Sequence, residues 1–472
     1  MATIKFGTSG WRGIIADDFT FANARLVTRA ICEYMSTTDD AKDAPVIVGY
    51  DTRFLGERFA QEAAKEIAYY GFHAVLCNSP VPTPTVAYAI RERKAAGGIT
   101  FTASHNPPEY NGMKFSTADG APAMPEITRR IEELLNLQKD DSQLHAQTGE
   151  REGVQPELFD PRPGYLTDLQ TKVRFDVIGR AAGRYAYDPL WGTGRGYLDK
   201  ILRDNGLVVE TLHDFRDPLF GGAGPDPTGP NRLDSLRETV IKNKYTLGLA
   251  TDGDSDRFGI VDADGSFITA NQLIALLFDY LVESRGWTGG VARSFSTSHL
   301  VDRIAAVRGL PVYETPIGFK YIAEYIIQDK IIIGGEESAG LTIKGHVPEK
   351  DGVLACLLAA ESVASRGASL GEQLEALYAR VGRLESGRAS VPLTPDMQTS
   401  LTEKLKREPR EIDGRRVVRI NRLDGVKFIF ENDSWLLLRP SGTEPLVRIY
   451  AEAETPLDVQ KLLGQGLSYL SV

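Results

Sequence analysis

The sequence predicts a multidomain α/β protein whose chain ends in a smaller α+β module with an antiparallel sheet. Three observations carry this reading. At 472 residues and 51.8 kDa the chain exceeds what one hydrophobic core organises, and its length suggests about three domains. Over most of that length short apolar runs alternate with amphipathic helical segments, as in layered α/β structure. From residue 388 onward the pattern changes to closely spaced strands and one closing helix.

In the first block, residues 1–150, segments 46–50 and 74–76 read as buried strands. Segment 59–68 reads as a helix, with Phe59, Ala63 and Ile67 at i, i+4 spacing on one face. Segment 99–102 reads as a further strand, which leaves Ser104 just past a strand end, where α/β proteins place their chemistry. The polar, proline-containing stretch 139–164 reads as a linker. In the second block, 165–262, strand 185–189 leads into Gly192-Thr193-Gly194-Arg195-Gly196, which opens a helix through Tyr197 and Ile201. Its glycine spacing lacks the two-residue gap of a dinucleotide fingerprint, so it reads as a tight strand-to-helix turn. Strand 247–250 then delivers a cluster of aspartates, and in the third block, 263–380, strand 331–333 delivers Glu336. The fourth block, 388–472, holds a helical 401–406, strands 417–420, 426–430, 435–438 and 447–450, and a helix from Asp458.

The formal net charge of −10 and pI near 5.3 argue against a nucleic-acid partner, which draws on clustered Lys and Arg. Cys32, Cys77 and Cys356 are widely spaced with no Cys-x-x-Cys pair, and they read as reduced packing residues of a cytoplasmic protein. The amino-terminal residues form no signal-peptide-like apolar segment, and no run approaches the length of a membrane span.

Asp252, Asp254 and Asp256 recur at period two, so an extended backbone puts all three side chains on one side. Converging carboxylates repel one another unless a cation offsets them, and all-oxygen ligation points to Mg²⁺ or a similar hard divalent ion. A calcium-binding EF-hand loop starting at Asp252 needs glycine at its sixth position and glutamate at its twelfth, where this chain has Arg257 and Ala263. A solvated acidic turn is the bland alternative; the preceding apolar strand and the attached Arg257 weigh against it.

Thr102-Ala103-Ser104-His105-Asn106-Pro107 offers a hydroxyl that could carry a phosphoryl group. A hydrolase triad with His105 as base is disfavoured, because a histidine adjacent in sequence rarely reaches the neighbouring hydroxyl in triad geometry and Ser104 does not sit in a Gly-x-Ser-x-Gly elbow. A phosphoryl-carrying serine needs a divalent ion on its oxygens and cations around the transferred group. The three aspartates can supply the first, and Lys114, Arg257 and Arg12 the second. The chain contains no Gly-Lys pair, which excludes a Walker phosphate loop and makes ATP an unsuitable routine donor. In Arg439-Pro440-Ser441-Gly442-Thr443, a guanidinium, two hydroxyls and the N–H groups of a glycine turn can converge on one phosphate, although alone the segment reads as a hairpin turn. Glu336 and Ser338 alone read as a capped helix start; beside a phosphate clamp they become candidates for sugar hydroxyls.

Taken in order and at these separations, residues 102–107, 252–257, 335–338 and 439–443 resemble the four signature loops of the α-D-phosphohexomutase superfamily. Gly7-Thr8-Ser9-Gly10-Trp11-Arg12-Gly13, Gly49-Tyr50-Asp51-Thr52-Arg53 and Thr297-Ser298 extend the similarity over the whole chain. The resemblance implies four domains around a central cleft, the first three related α/β units and the last an α+β lid. It implies a phosphorylated Ser104 sharing Mg²⁺ with Asp252, Asp254 and Asp256, and glucose 1,6-bisphosphate as activator and intermediate. Ser104, His105, Lys114, Arg12 and Lys350 form the implied catalytic set, with Lys114 and Lys350 as proton carriers of lowered pKa. Arg257, Gly318, Glu336, Ser338 and His346 would meet the sugar, and Arg439, Ser441, Gly442 and Thr443 the non-reacting phosphate.

Within the superfamily, Gly335-Glu336-Glu337-Ser338-Ala339-Gly340 lacks the histidine typical of phosphomannomutases and phosphoglucosamine mutases and looks like the phosphoglucomutase version. His346-Val347-Pro348-Glu349-Lys350-Asp351-Gly352 and Gly318-Phe319-Lys320 also resemble phosphoglucomutase segments, so His346 or Lys350 would take over from the missing histidine. The expected activity is reversible interconversion of hexose 1-phosphate and hexose 6-phosphate, glucose first. A phosphomannomutase or dual-specificity mutase is the alternative. A non-catalytic sugar-phosphate-binding regulator is the rival of another class, against which Ser104, the aspartates and Lys114 all count. Hexose phosphates are the expected partners, with neither nucleic acid nor membrane; the sequence leaves the oligomeric state open.

Overall fold

The computed structural model describes residues 4–38, 43–139, 155–229, 231–393, 401, 403–441 and 446–471. The first sheet contains β1 (Trp11–Ile14), β2 (Pro45–Tyr50), β3 (His73–Cys77), β4 (Gly97–Phe101), β5 (Tyr110–Thr117) and β6 (Glu157–Phe159), in the order β1-β5-β4-β2-β3-β6. Strands β2, β3, β4 and β6 run parallel, while β5 folds back antiparallel on β4 and β1 pairs antiparallel with β5. The second sheet contains β7 (Arg184–Asp188), β8 (Val208–Thr211), β9 (Leu247–Thr251), β10 (Phe258–Asp262) and β11 (Phe267–Ile268), in the order β11-β10-β9-β7-β8. The third is β12 (Gly290–Ser294), β13 (Val312–Thr315), β14 (Ile331–Glu336) and β15 (Gly340–Ile343), ordered β13-β12-β14-β15.

These three sheets repeat one device. A buried strand in parallel pairing (β4, β9 or β14) is followed by a partner that returns antiparallel beside it (β5, β10 or β15). The loop between them holds a non-glycine residue at positive φ: Ser104 at 53°, Ser255 at 58° and Ala339 at 69°. This shared topology makes the three units structurally related.

The fourth sheet is antiparallel throughout: β16 (Glu385–Pro392), β17 (Glu411–Ile412), β18 (Arg415–Asn421), β19 (Val426–Phe430), β20 (Trp435–Pro440) and β21 (Leu446–Ala453), ordered β16-β21-β20-β19-β18-β17. The closing helix Pro456–Ser471 packs on β16, β20 and β21. The loop between β20 and β21 again joins two antiparallel neighbours.

Two features depart from the expected organisation. The stretch read as a linker contains β6, which pairs with Val75, Leu76 and Cys77 at the edge of the first sheet. Only three residues long, it has too little pattern to register as a strand, and its partner lies some eighty residues upstream. The second and third units also share one core. Helix Gly352–Arg366 packs against β9 and β10 of the preceding unit, where Cys356 Sγ donates to the Ala250 carbonyl (3.5 Å). Cys32, Cys77 and Cys356 are free thiols with almost no exposure, consistent with their packing role.

Local chemistry fixes several helix starts. Thr269 with Gln272 and Ser369 with Glu372 form capping boxes on helices Ala270–Arg285 and Leu370–Val381. Each cap is worth about 1 kcal/mol by satisfying amides the helix leaves unpaired. Among the described residues, no single helix is long and apolar enough to cross a membrane.

Candidate active site

The serine and aspartate loops bring their polar side chains to one place. Ser104 lies in the β4–β5 loop, 1 % exposed, and its Oγ donates to Asp252 Oδ2 at 2.7 Å. The serine is presented by a brace beneath the loop. Arg53, fully buried, donates from Nη2 to the carbonyls of Ser104 (2.7 Å) and Asn106 (2.6 Å), and from Nη1 to those of Pro107 (2.8 Å) and Tyr110 (2.9 Å). Asp51 holds that guanidinium at 3.1 Å and accepts from Thr102 Oγ1 at 2.6 Å, while Thr102 Oγ1 accepts from the Ser104 amide at 2.8 Å. One planar guanidinium satisfying four carbonyls is what makes the positive φ of Ser104 sustainable. The motif 49–53 belonged to the sequence resemblance, but nothing local in it reveals the role of Arg53.

The aspartate loop meets the serine loop at Gly253, where a Cβ would lie 2.7 Å from the Ser104 carbonyl. One carboxylate oxygen from each of Asp252, Asp254 and Asp256 lies within 4.8 Å of the others, and all three residues are buried. Among the described residues this is the single cluster of that kind. Asp254 Oδ1 and Asp256 Oδ1 are buried without hydrogen-bond partners. Orphaned oxygens in an all-carboxylate set fit a hard divalent cation, because such an ion supplies the missing partner and offsets the mutual repulsion. Burial and the Asp254 and Asp256 charges push the Asp252 carboxyl well above the ordinary carboxylate range, which expresses the same need for positive charge.

Two ammonium groups flank the cluster. Lys114 Nζ, on β5, reaches Asp254 Oδ2 (2.6 Å) and Asp256 Oδ2 (2.8 Å); Lys350 Nζ reaches Asp256 Oδ2 (2.9 Å). Thr83 adds a hydroxyl to Asp254 Oδ2 and its amide to the Asp254 carbonyl (2.9 Å), a support with no signal in the sequence. The expected lowering of the Lys114 pKa is corrected here. Burial does act to lower it, but the Asp254 and Asp256 carboxylates outweigh that effect and hold the ammonium above its usual range. Between these two carboxylates Lys114 is held as an ammonium.

Around the serine, Arg12 Nη1 donates to Asn106 Oδ1 (2.6 Å) and His105 Nδ1 lies 3.4 Å from Ser104 Oγ. Burial together with the nearby Arg257 and Arg12 charges lowers the His105 pKa well below the usual imidazole value, so this ring is neutral. The Arg257 amide donates to Asp252 Oδ1 (3.1 Å), whereas its guanidinium makes no hydrogen bond or ion pair among the described residues and its Nε is buried. That leaves a half-buried positive fork beside the serine–carboxylate pair, able to receive phosphoryl oxygens.

Glu336 ends β14, and the following turn carries Glu337, half-buried Ser338 and Ala339. The turn closes a hairpin rather than starting a helix. Glu336 Oε1 accepts the Gly318 amide at 2.9 Å, so Gly318 supports the glutamate instead of offering its N–H to a sugar. Gly318 sits at φ 134°, with Thr8 Cγ2 3.2 Å from where a Cβ would stand, conditions that exclude a side chain. Glu337 is tied back to Ser296 Oγ (2.6 Å), which leaves Glu336 and Ser338 as the polar pair of this loop.

The sugar-contact reading of His346 is also corrected. Its Nε2 lies 2.7 Å from Asp351 Oδ2, its Nδ1 3.5 Å from Asp168 Oδ2, and its carbonyl accepts from Arg91 Nη1 (2.9 Å). The ring is buried between Asp168 of the second unit and Asp351 of the third, while the backbone carbonyl reaches Arg91 of the first. Glu349, in the same segment, was not singled out by sequence; burial pushes its carboxyl up to about 7 against the opposing pull of Lys350 and Lys114. Arg439, at the end of β20, directs Nε to Asp424 Oδ1 (2.8 Å), and Asp424 Oδ2 in turn accepts the Ile317 amide (2.9 Å) next to Gly318. The Ser441 amide donates to the Leu446 carbonyl (2.8 Å); Gly442 and Thr443 lie outside the described residues.

Sequence profiles of one family match all four units. Those described as phosphoglucomutase/phosphomannomutase alpha/beta/alpha domains I, II and III match residues 3–141, 163–265 and 269–381, and that of the C-terminal domain matches residues 398–464. A protein of Methanosphaera stadtmanae named as a probable phosphoglucosamine mutase is 31% identical over 452 residues, covering 95% of this chain and 94% of its own. The phosphoglucomutase/phosphomannomutase of Thermococcus kodakarensis is 28% identical, covering 98% of each chain. A crystal structure from Thermus thermophilus, named for phosphomannomutase, is 34% identical and superposes with a TM-score of 0.85 over 100% of both chains.

Proposed function

Because the chain belongs to the phosphoglucomutase/phosphomannomutase family and is a phosphohexomutase, we propose that it interconverts α-D-glucose 1-phosphate and glucose 6-phosphate through a phosphorylated Ser104. The observation that carries this reading is the contact of Ser104 Oγ with Asp252 at 2.7 Å, at the edge of a carboxylate cluster with two orphaned oxygens. Phosphoserine 104 transfers its phosphoryl group to the free sugar hydroxyl: the Ser104 O–P bond breaks, a new O–P bond forms, and the hydroxyl proton passes to a base in the cleft. The product is glucose 1,6-bisphosphate. After this intermediate turns over, Ser104 accepts the other phosphoryl group by the reverse step. Lys350, beside the aspartate cluster at 2.9 Å from Asp256 Oδ2, is the residue assigned to exchange that proton.

Asp252, Asp254, Asp256 and the oxygen on Ser104 would hold Mg²⁺, which when bound neutralises charge on the transferring group. The residues of the chain supply the rest. Arg257 and Lys114 present positive charge to the equatorial oxygens. Arg12 fixes the serine loop through Asn106. Glu336 and Ser338 bind sugar hydroxyls, and Arg439 with the 441–443 turn holds whichever phosphate is not reacting.

The preference for glucose rests on the 335–340 loop, which lacks the histidine of the phosphomannomutase and phosphoglucosamine mutase versions. Side-by-side assays of glucose, mannose and glucosamine 1-phosphates test it: glucose should give the highest kcat/KM. A higher value for either other sugar would overturn the specificity while leaving the mutase reading intact.

An arginine that serves the non-reacting phosphate must hold the 1-phosphate in one direction and the 6-phosphate in the other. Arg439→Ala should therefore lower kcat/KM for glucose 1-phosphate and glucose 6-phosphate by similar factors, on the order of 30-fold for loss of a desolvated charge-assisted contact. Arg439→Lys should recover only part, since an ammonium lacks the planar fork. Impairment of one direction alone would require separate sites for the two phosphates.

A further inference from the structure

A second cavity lies behind the aspartate loop. It has a volume of about 380 Å³ and opens between the first two units, past the carboxyl ends of three parallel strands. Thr52 follows β2, Ser79 and Pro80 follow β3, and the turn Gly192–Gly196 follows β7. Crevices outside the carboxyl ends of parallel strands are where open α/β sheets bind ligands, and the volume suits a small phosphorylated compound. None of the residues proposed for the mutase reaction lines it.

The glycine turn explains the shape of this cavity. A Cβ on Gly192 would lie 2.7 Å from the Asp252 carbonyl, and one on Gly194 would lie 2.1 Å from Tyr187 Oη. Both glycines press the turn against the aspartate loop, and Thr193 completes the contact through its amide to the Gly253 carbonyl (3.0 Å) and its hydroxyl to Ser255 Oγ (3.0 Å). With its inner side committed, the turn presents Arg195 to the cavity.

Arg195 makes no hydrogen bond or ion pair among the described residues, through either its backbone amide or its guanidinium. Arg162 also lines the cavity; its Nη2 reaches Ser79 Oγ at 3.3 Å, while its Nε is buried without a hydrogen-bond partner. The carboxylate at the wall does not neutralise this pair, because Asp199 is already bound to the Gly196 amide (2.7 Å) and Arg203 Nη1 (2.7 Å). Asp214, the remaining acid of the lining, is exposed.

We propose that this cavity is a second anion site, distinct from the candidate active site, which binds the phosphate group of a small phosphorylated compound between Arg162 and Arg195. Two arginine forks beside a serine hydroxyl match a phosphate monoester better than a carboxylate or a neutral ligand. The site does not depend on the sugar specificity proposed above.

Crystals of the full chain soaked in tungstate, an anomalously scattering phosphate mimic, provide the direct test. An anomalous peak should stand in contact with Arg195. Calorimetry with inorganic phosphate should show a binding event beyond that at the Arg439 turn, weakened roughly tenfold or more in Arg195→Ala, as expected for loss of a charge-assisted contact. Competition separates the two sources of the phosphate. Displacement of tungstate by glucose 6-phosphate at lower concentration than by inorganic phosphate assigns a sugar phosphate, and displacement at equal concentration assigns free phosphate; either result supports the site. Absence of the peak, or phosphate binding unchanged in both Arg195→Ala and Arg162→Met, would overturn it.

Discussion

Replacing Ser104 by alanine should abolish nearly all mutase turnover, a loss of at least roughly 10³-fold on the scale seen when a covalent nucleophile is removed. The substitution deletes the oxygen that carries the phosphoryl group and leaves the fold in place. Arg53 still satisfies the loop carbonyls, which are backbone atoms. The residue already holds φ 53°, and alanine in that conformation costs about 1 kcal/mol, small beside the stability of a domain. Intact-mass analysis of active wild-type protein should show a fraction carrying one phosphate, mapped to the peptide containing Ser104, and the alanine variant should lack it. Near-wild-type turnover in a well-folded Ser104→Ala protein would end the phosphoserine mechanism.

Asp254→Asn should lower the Mg²⁺-dependent rate by roughly 10²-fold or more while changing the apparent affinity for sugar phosphate much less. The side-chain volume is kept, so the change is one of charge. Asp254 Oδ1 is one of the two orphaned oxygens, and its loss as a carboxylate removes a ligand that no neighbour replaces. Thermal unfolding gives an independent readout, since an ion bound only by the folded state raises Tm with concentration. That rise should shrink in Asp254→Asn. Equal Mg²⁺-induced stabilisation of both proteins, or full activity of the variant in metal-free buffer, would refute the assignment of the aspartates.

Much of the candidate site was legible because its signals are local. An apolar run predicts β9, and the period-two aspartates directly after it suggest convergent carboxylates; they do converge, but around a turn with Ser255 at φ 58° rather than along an extended backbone. Ser104 past the end of β4 followed from the apolar run before it, since α/β proteins place their chemistry at strand ends. Other roles resisted sequence reading because they depend on partners distant in the chain. His346 sits in a motif that suggests a ligand contact, yet Asp168 and Asp351 enclose its ring. Lys114 was read both as a cation for the transferred group and as a candidate proton carrier needing a lowered pKa; the two aspartates it meets come from a different sheet and raise that pKa instead. Strand β16 was missed because its alternating small and polar residues declare themselves only beside β21.

By itself the sequence determined the α/β character, the apolar strands and the order of the chemical loops, since period, composition and turn chemistry are properties of short windows. Tertiary structure alone decided which strand returns antiparallel beside which, that helix Gly352–Arg366 closes the core of the preceding unit, that Arg53 braces the serine loop, and which ionisable groups keep their charge. Pairing, burial and electrostatic field are set by atoms far apart in the chain and close in space. A side chain's chemistry is written at its own position, whereas its protonation and its role are fixed by the neighbours that folding supplies.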